Sequence, residues 1–260
     1  MRVLITGAAG GVATLLRPRL RREGRILRLL DITALGASDD EEVMTASVTD
    51  PEAMAVACHD VDAVIHLGGH SRETSWAETV EVNITGPQTV LEAARKAGVP
   101  RVILASSNHA VGFREVAEAP LAADSTPRPD TFYGVSKAAI EALGSLYHSR
   151  FGMDVICVRI GSCFERPPGY RGLTTWLSPD DAGRLFDACL TFPSPGYRII
   201  WGVSDNTRRI YSLAEAEALG YRSLDDAEKF AGEITDPAPT GPVARYVGGP
   251  FTTTPLGLPN

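Results

Sequence analysis

Short apolar runs, each closed by glycine or a polar turn, alternate with amphipathic stretches through the first two-thirds of the chain. Arg2-Val3-Leu4-Ile5-Thr6 is the first run, and Gly7-Ala8-Ala9-Gly10-Gly11-Val12-Ala13 follows at once. Leu15, Leu16 and Leu20 then recur at helical spacing. A second run, 26–30, ends in Asp31, and a third, 61–67, ends in Gly68-Gly69-His70-Ser71. A helix is predicted over 75–97, through Val80, Val82, Val90, Leu91 and Ala94, with Gly98-Val99-Pro100 to stop it. Strands follow at 101–105, closed by Ser106-Ser107-Asn108-His109, and at 154–160, closed by Gly161-Ser162-Cys163. Apolar, β-branched strands alternating with helices predict a doubly wound, Rossmann-type α/β fold with a parallel sheet. Ligands of such sheets bind outside the carboxyl ends of the strands. Gly7, Asp31, Ser71, Ser107 and Ser162 all stand at such ends, so the pattern predicts one shared crevice. Beyond Ser162 the pattern loosens into Pro- and Gly-rich loops with helices near 180–190 and 213–219. The stretch 236–260, rich in Pro, Gly and Thr, reads as irregular chain wrapping the surface.

With 260 residues the chain is long enough for one large α/β unit and a modest extension. The division expected is residues 1–160 as a dinucleotide-binding part and 161–260 as a smaller substrate-binding part of the same compact unit. A net charge of −7 argues against nucleic acid or an anionic membrane surface as partner. The first run is too short to cross a membrane and lacks the length and cleavage site of a secretory signal. Four cysteines without C-x-x-C spacing point to a reduced compartment, hence the cytoplasm. His66 and His70 are four apart, but the intervening Gly68-Gly69 suits a loop rather than a metal-bearing helix, and no metal is expected. Arg17, Arg19, Arg21, Arg22, Arg25 and Arg28 read mostly as the solvated face of the first helix and the turn after it.

Strand, glycine turn, helix is the context that makes a glycine motif a dinucleotide-binding site. Glycines let the backbone approach a pyrophosphate, and a helix N-terminus offers it unpaired N–H groups. Asp31 can accept hydrogen bonds from the adenosine ribose and would repel a 2′-phosphate, which favours NAD over NADP. Further along, Tyr133-Gly134-Val135-Ser136-Lys137 sets a phenol and an ammonium four residues apart, on one face of a helix. Free tyrosine is a poor base at neutral pH. A nearby ammonium favours the phenolate, and a lowering by ~3 pKa units corresponds to roughly 4 kcal/mol. Ser107, ending a strand ahead of that helix, completes a proton-transfer set, its bland alternative being that Ser106 and Ser107 simply satisfy turn N–H groups.

Together these residues resemble the extended short-chain dehydrogenase/reductases, the NAD-dependent epimerase/dehydratase superfamily. The resemblance rests on T-G-x-x-G-x-x-[GA] at 6–13, Ser107, and Y-x-x-x-K at Tyr133 and Lys137. Several further strings look most like the bacterial NAD-dependent uronate dehydrogenases: His66-Leu67-Gly68-Gly69, Ala105-Ser106-Ser107-Asn108-His109, Val158-Arg159-Ile160-Gly161-Ser162-Cys163, Tyr170-Arg171 and Trp201-Gly202. The resemblance implies oxidation at C1 of galacturonate or glucuronate to the aldarolactone. Tyr133 is then the base, Lys137 lowers its pKa and holds the nicotinamide ribose, and Ser107 aligns the reacting oxygen. Gly7, Ala9, Gly10, Gly11, Val12, Asp31, Ile32, Ser47, Val48, Leu67, Gly68, Gly69, Asn83 and Cys163 would join Tyr133 and Lys137 around NAD. Ser71, Asn108, His109 and Ser162 would meet sugar hydroxyls beside Ser107 and Tyr133, and Arg171 the C6 carboxylate. From the residues alone, His109 is equally a polar loop filler, Arg171 a solvent-exposed loop residue and Asn83 the site of a kink. Three departures stand out: Ala13 is the third "glycine", Ser47 replaces an aspartate that contacts adenine in the family, and 207–211 replaces a tryptophan-rich stretch. Relatives pair through the helices expected here at 75–97 and 133–150, so the resemblance also implies a homo-oligomer. An aldose dehydrogenase or a sugar epimerase or dehydratase is the close alternative, and a non-catalytic NAD-binding regulator the remote one.

Overall fold

Alternation within each apolar run decides which way its side chains point. In the computed structural model, which describes residues 1–36, 38–39 and 41–259, the strands are, in chain order, β1 (Arg2–Thr6), β2 (Ile26–Asp31), β3 (Glu41–Thr45), β4 (Ala63–His66) and β5 (Arg101–Ser107). β6 (Asp154–Ile160), β7 (Ser162–Cys163), β8 (Trp176–Leu177) and β9 (Tyr197–Gly202) follow. Val3 and Ile5 of β1 enter one hydrophobic cluster while Leu4 enters another; Leu27 and Leu29 of β2 join the first and Leu30 the second. A strand buried on both faces needs helices on both, and parallel strands need crossovers that supply them.

The helices do so. They are α1 (Gly11–Leu20), α2 (Pro51–Ala57), α3 (Trp76–Val80), α4 (Gly86–Lys96), α5 (Phe132–Phe151), α6 (Gly169–Thr175), α7 (Pro179–Thr191), α8 (Ala214–Ala218) and α9 (Gly241–Arg245). α1 and α7 close the first cluster through Leu16, Leu20, Leu185 and Phe186. α2, α4 and α5 close the second through Met54, Val90, Leu91, Ile140 and Tyr147. Between them lies a parallel sheet in the order β3-β2-β1-β4-β5-β6-β9, with β7 and β8 as a separate parallel pair. The order reverses between β1 and β4, which opens a crevice at their carboxyl ends. The expected α/β class is therefore found. No described helix is long and apolar enough to cross a membrane.

Three expectations change, and one strand appears that the sequence did not signal. The segment 41–45 carries no strand signal because β3 is an edge strand with alternate side chains half-buried or exposed, and Val43 and Met44 are its apolar content. The helix over 75–97 is α3 and α4 joined by a π-helical turn at Glu81–Thr85. The arginine cluster is not mainly a solvated face. Arg17 and Arg21 pair with the buried carboxylate of Glu41, Arg28 with Glu42, Arg19 with Asp180, and Arg22 and the buried Arg25 with Asp187. They tie α1 and β2 to β3 and α7, contacts invisible without the fold. Lastly, the C-terminal stretch does more than wrap the surface; its end residue Asn260 lies outside the described residues. Val247 is buried, its N–H donates to the Arg114 carbonyl, and the Gly248 N–H donates to that of Gly112.

Candidate active site

The crevice begins at the glycine turn. Gly7 has φ +70°, and a Cβ there would lie 2.6 Å from the Gly68 Cα, so glycine is required for the ends of β1 and β4 to meet. Val48 fills the space beside Gly68 and Gly86. α1 then starts at Gly11 with no side chain capping it, and the Gly11 backbone faces open space. An uncapped helix N-terminus beside a bare backbone suits a pyrophosphate. At the end of β2 the Asp31 carboxylate accepts from Ala9 N and Thr33 N, each at 2.9 Å, which fixes it beside the turn. Ile32 next to it is 75% exposed, an apolar surface on which an adenine ring can lie. The Ser47 hydroxyl is engaged locally, with Thr49 Oγ1 at 2.8 Å and Thr49 N at 3.2 Å. Cys163, by contrast, is buried in the first hydrophobic cluster, and burial pushes its thiol up to about 12. These residues fit a dinucleotide.

The loop after β4 carries Leu67, Gly68, Gly69, His70 and the exposed Ser71. Asn83 holds it. Its Oδ1 accepts from His70 N at 2.7 Å, and its Nδ2 donates to His70 O at 2.9 Å and Ser136 Oγ at 3.4 Å. The π-helical turn is thus where an asparagine side chain reaches from one helix to the loop and to α5, and its bonds account for a residue that helices disfavour.

α5 sets the phenol and ammonium. Thr131 caps it by accepting from Gly134 N at 3.0 Å, while the buried Glu73 accepts from Phe132 N at 3.3 Å and Tyr133 N at 2.9 Å. Burial pushes the Tyr133 phenol up to about 12, a hydrogen bond with Ser107 pulls it back, and the Asp130 charge adds to the rise. The expected lowering by Lys137 is not found. The ammonium sits 5.3 Å from the Tyr133 ring centroid and donates to Ala105 O at 2.8 Å. Desolvation pushes it down to about 8, against the pull of Glu141. Both groups are thus stabilised in their neutral forms by the protein around them, and an ion pair between them would relieve each.

Ser107, Asn108 and His109 cross the end of β5 onto this site. His109 N donates to Ser107 Oγ at 3.3 Å. The His109 ring stands 5.7 Å from that of Tyr133, edge to face, and its Nδ1 is 2.7 Å from Asp130 Oδ2. Burial lowers the His109 pKa, Asp130 raises it and the Arg171 charge lowers it further. Arg171 lies on α6 rather than in a loop, and its Nη2 donates to Val247 O at 2.8 Å. With the Asn108 amide oriented so that both ends find partners, its oxygen accepts from Arg171 Nη2 at 2.7 Å and its nitrogen donates to Ile160 O at 3.2 Å. Ser162 is buried against Thr175, Oγ to Oγ1 2.8 Å. Ser107, Asn108, His109, Tyr133 and Arg171 therefore form one cluster.

The sequence reading missed Phe251, which stacks on His109 with centroids 3.9 Å apart, and the Val247 carbonyl on Arg171. It also missed Glu73 and Asp130. The Gly-Pro-Phe run at 249–251 gave no local signal of a pocket wall.

Residues 3–167 match the model of the NAD dependent epimerase/dehydratase family. The chain is 42% identical over 255 residues to the uronate dehydrogenase of Pseudomonas putida, covering 96% of this chain and 95% of that one. It is 39% identical over 260 residues to an NAD-dependent glucose-6-phosphate dehydrogenase of Haloferax volcanii, covering 91% and 98%. A crystal structure of uronate dehydrogenase from Agrobacterium tumefaciens, a tyrosine-to-alanine mutant complexed with NAD, superposes with a TM-score of 0.93 at 37% identity, covering 98% and 97%.

Proposed function

From the premise that this chain belongs to the NAD dependent epimerase/dehydratase family, we propose that it is an NAD-dependent dehydrogenase oxidising a hexuronic acid, galacturonate or glucuronate, at C1 to the aldarolactone. The observation that carries the substrate class is the arginine beside the reacting centre: Arg171 reaches Asn108, the residue next to Ser107. The two N–H donors on Nη2 are engaged by Val247 O and Asn108 Oδ1, and both forks of a guanidinium include Nη2, so Nη1 and Nε would each offer a carboxylate a single charged hydrogen bond.

NAD, when bound, accepts the hydrogen on C1 as hydride. The turn at Gly7, Ala9, Gly10, Gly11 and Val12 would hold its pyrophosphate and Asp31 its adenosine ribose. Ser107 hydrogen-bonds the C1 oxygen and aligns it with Tyr133. Tyr133 takes the hydroxyl proton. Its high pKa makes the phenolate a strong base but a scarce one at neutral pH, so the Lys137 ammonium and the Ser107 hydroxyl must stabilise it as the proton moves. His109, Ser71 and Ser162 contact sugar hydroxyls. In this reading residues 1–160 chiefly bind the cofactor and 161–260 the sugar, although β9 of the latter completes the same sheet. Half-exposed Leu146 and Phe151 on α5 suit the homo-oligomer contact expected there.

Formation of reduced cofactor with galacturonate, glucuronate, galactose, glucose and glucose 6-phosphate, each with NAD and NADP, tests the reading. Turnover with the uronates and NAD is expected. Equal rates on the neutral hexoses would remove Arg171 from the specificity argument, and turnover confined to glucose 6-phosphate would overturn the substrate class. In the same assay Tyr133→Phe should lose on the order of 10²–10⁴-fold in kcat with NAD binding retained.

A further inference from the structure

The Asp130 side chain is fully buried, as few aspartates are, and three segments leave room for it. A Cβ at Gly112, beyond β5, or at Gly248, in the C-terminal stretch, would overlap its carboxylate. One at Gly134, in the first turn of α5, would lie 2.9 Å from its Oδ1 and collide with the His109 carbonyl. Three glycines from three parts of the chain thus converge on one carboxyl group. Among the described residues that carboxyl has two side-chain partners: Oδ1 accepts from Thr131 Oγ1 at 3.0 Å, and Oδ2 meets His109 Nδ1 at 2.7 Å.

A carboxylate accepts hydrogen bonds and cannot donate them, so the proton of this contact belongs to Nδ1. Burial and the Arg171 charge favour the neutral ring against the pull of Asp130. A neutral imidazole with its proton on Nδ1 has a bare lone pair on Nε2. We propose that Asp130 is a positioning residue that fixes His109 in the Nδ1–H tautomer, making Nε2 an obligate acceptor for a sugar hydroxyl. Phe251 stacks on one side of the ring and Tyr133 stands edge to face at 5.7 Å, contacts that hold its orientation toward Asp130. The inference rests on the reading of His109 as a substrate contact and adds a division of labour. His109 selects a hydroxyl because it can only accept, and the carboxylate, itself only an acceptor, is left to Arg171.

Nitrogen-15 NMR of the five histidines, with the His109 signals assigned through His109→Asn, reads the tautomer directly, without turnover. The expected result is a neutral ring protonated on Nδ1 in the wild-type protein and a shift toward Nε2–H in Asp130→Asn, whose amide can donate to Nδ1. A wild-type ring protonated on Nε2 would overturn the proposal, even if no variant folds. In steady-state kinetics Asp130→Asn should raise the uronate KM about tenfold, with the NAD KM and the melting temperature nearly unchanged. A residue acting merely on the fold would instead lower the melting temperature and leave the tautomer alone. His109→Asn separates the two readings. If it leaves the uronate KM unchanged, His109 is not a substrate contact and the underlying reading fails. If it raises KM while Asp130→Asn does not, the positioning role alone fails.

Discussion

In the proposed reading Asp31 carries cofactor choice, because of how its charge is held. Both carboxylate oxygens already accept a backbone N–H, from Ala9 and Thr33, so the group cannot swing away from the turn. Each oxygen keeps a further lone pair, and ribose hydroxyls can donate to it while a 2′-phosphate would face a fixed negative charge. Hydrogen bonds to a charged group contribute about 1.5–3 kcal/mol, so Asp31→Ala should raise the NAD KM on the order of ten- to a hundredfold and narrow the preference over NADP. The ratio of kcat/KM for the two cofactors measures it. An unchanged ratio would move the discrimination to other residues, since no arginine or lysine stands at Ile32, Thr33 or Ala34 to favour the phosphate.

At the scale of elements, α5 carries both Tyr133 and Lys137, and Glu73 anchors its start. The carboxylate accepts from Phe132 N and Tyr133 N, and from Gly257 N at 2.9 Å, joining the helix N-terminus to the C-terminal segment that covers His109. A negative charge there also complements the helix dipole. Glu73→Gln keeps one acceptor oxygen and should cost about 1–2 kcal/mol in urea unfolding, with faster amide exchange at Gly257. Unaltered exchange at Gly257 would show that the segment is held by Val247 and Gly248 alone. The same elements show what local sequence conveys. The glycine turn, the strand ends and the Tyr133–Lys137 spacing are encoded within a few residues of themselves, and they were legible. Edge strand β3 was not, having apolar Val43 and Met44 in an otherwise polar run. Nor was the wall at Phe251, because its partner His109 is far away in sequence and Gly-Pro-Phe carries no periodicity. The burial of the phenol was not legible for a related reason: spacing gives the neighbour on the helix but not the desolvation, which pushes its pKa up.

For the whole molecule, the crevice carries a cost in acid. His66, at the end of β4, is buried with Nδ1 2.7 Å from Thr6 Oγ1 and with no partner for Nε2 among the described residues, and burial together with the Lys137 charge drives its pKa from 6.5 to about 3. His109 is pushed down as well. A base whose pKa is lower in the folded state binds its proton first in the unfolded chain. Its stabilising effect is therefore complete above 6.5 and lost as pH falls toward the folded value, at up to about 1.4 kcal/mol per pH unit for each group. The depressed carboxylates, Glu41 and Glu92 among them, also lose stability in acid, but only below their ordinary value of 4.5. Lys137, lowered to about 8, is protonated in both states throughout that range and adds no slope. Between pH 6.5 and 4.5 the two buried histidines should thus dominate, and urea midpoints should fall steadily across that window. His66→Asn, which removes the ring whose pKa is driven to about 3, should flatten the slope. A flat profile in the wild type would mean that the folded protein accommodates a charged His66, and its unpaired Nε2 would then have to find an acceptor on protonation.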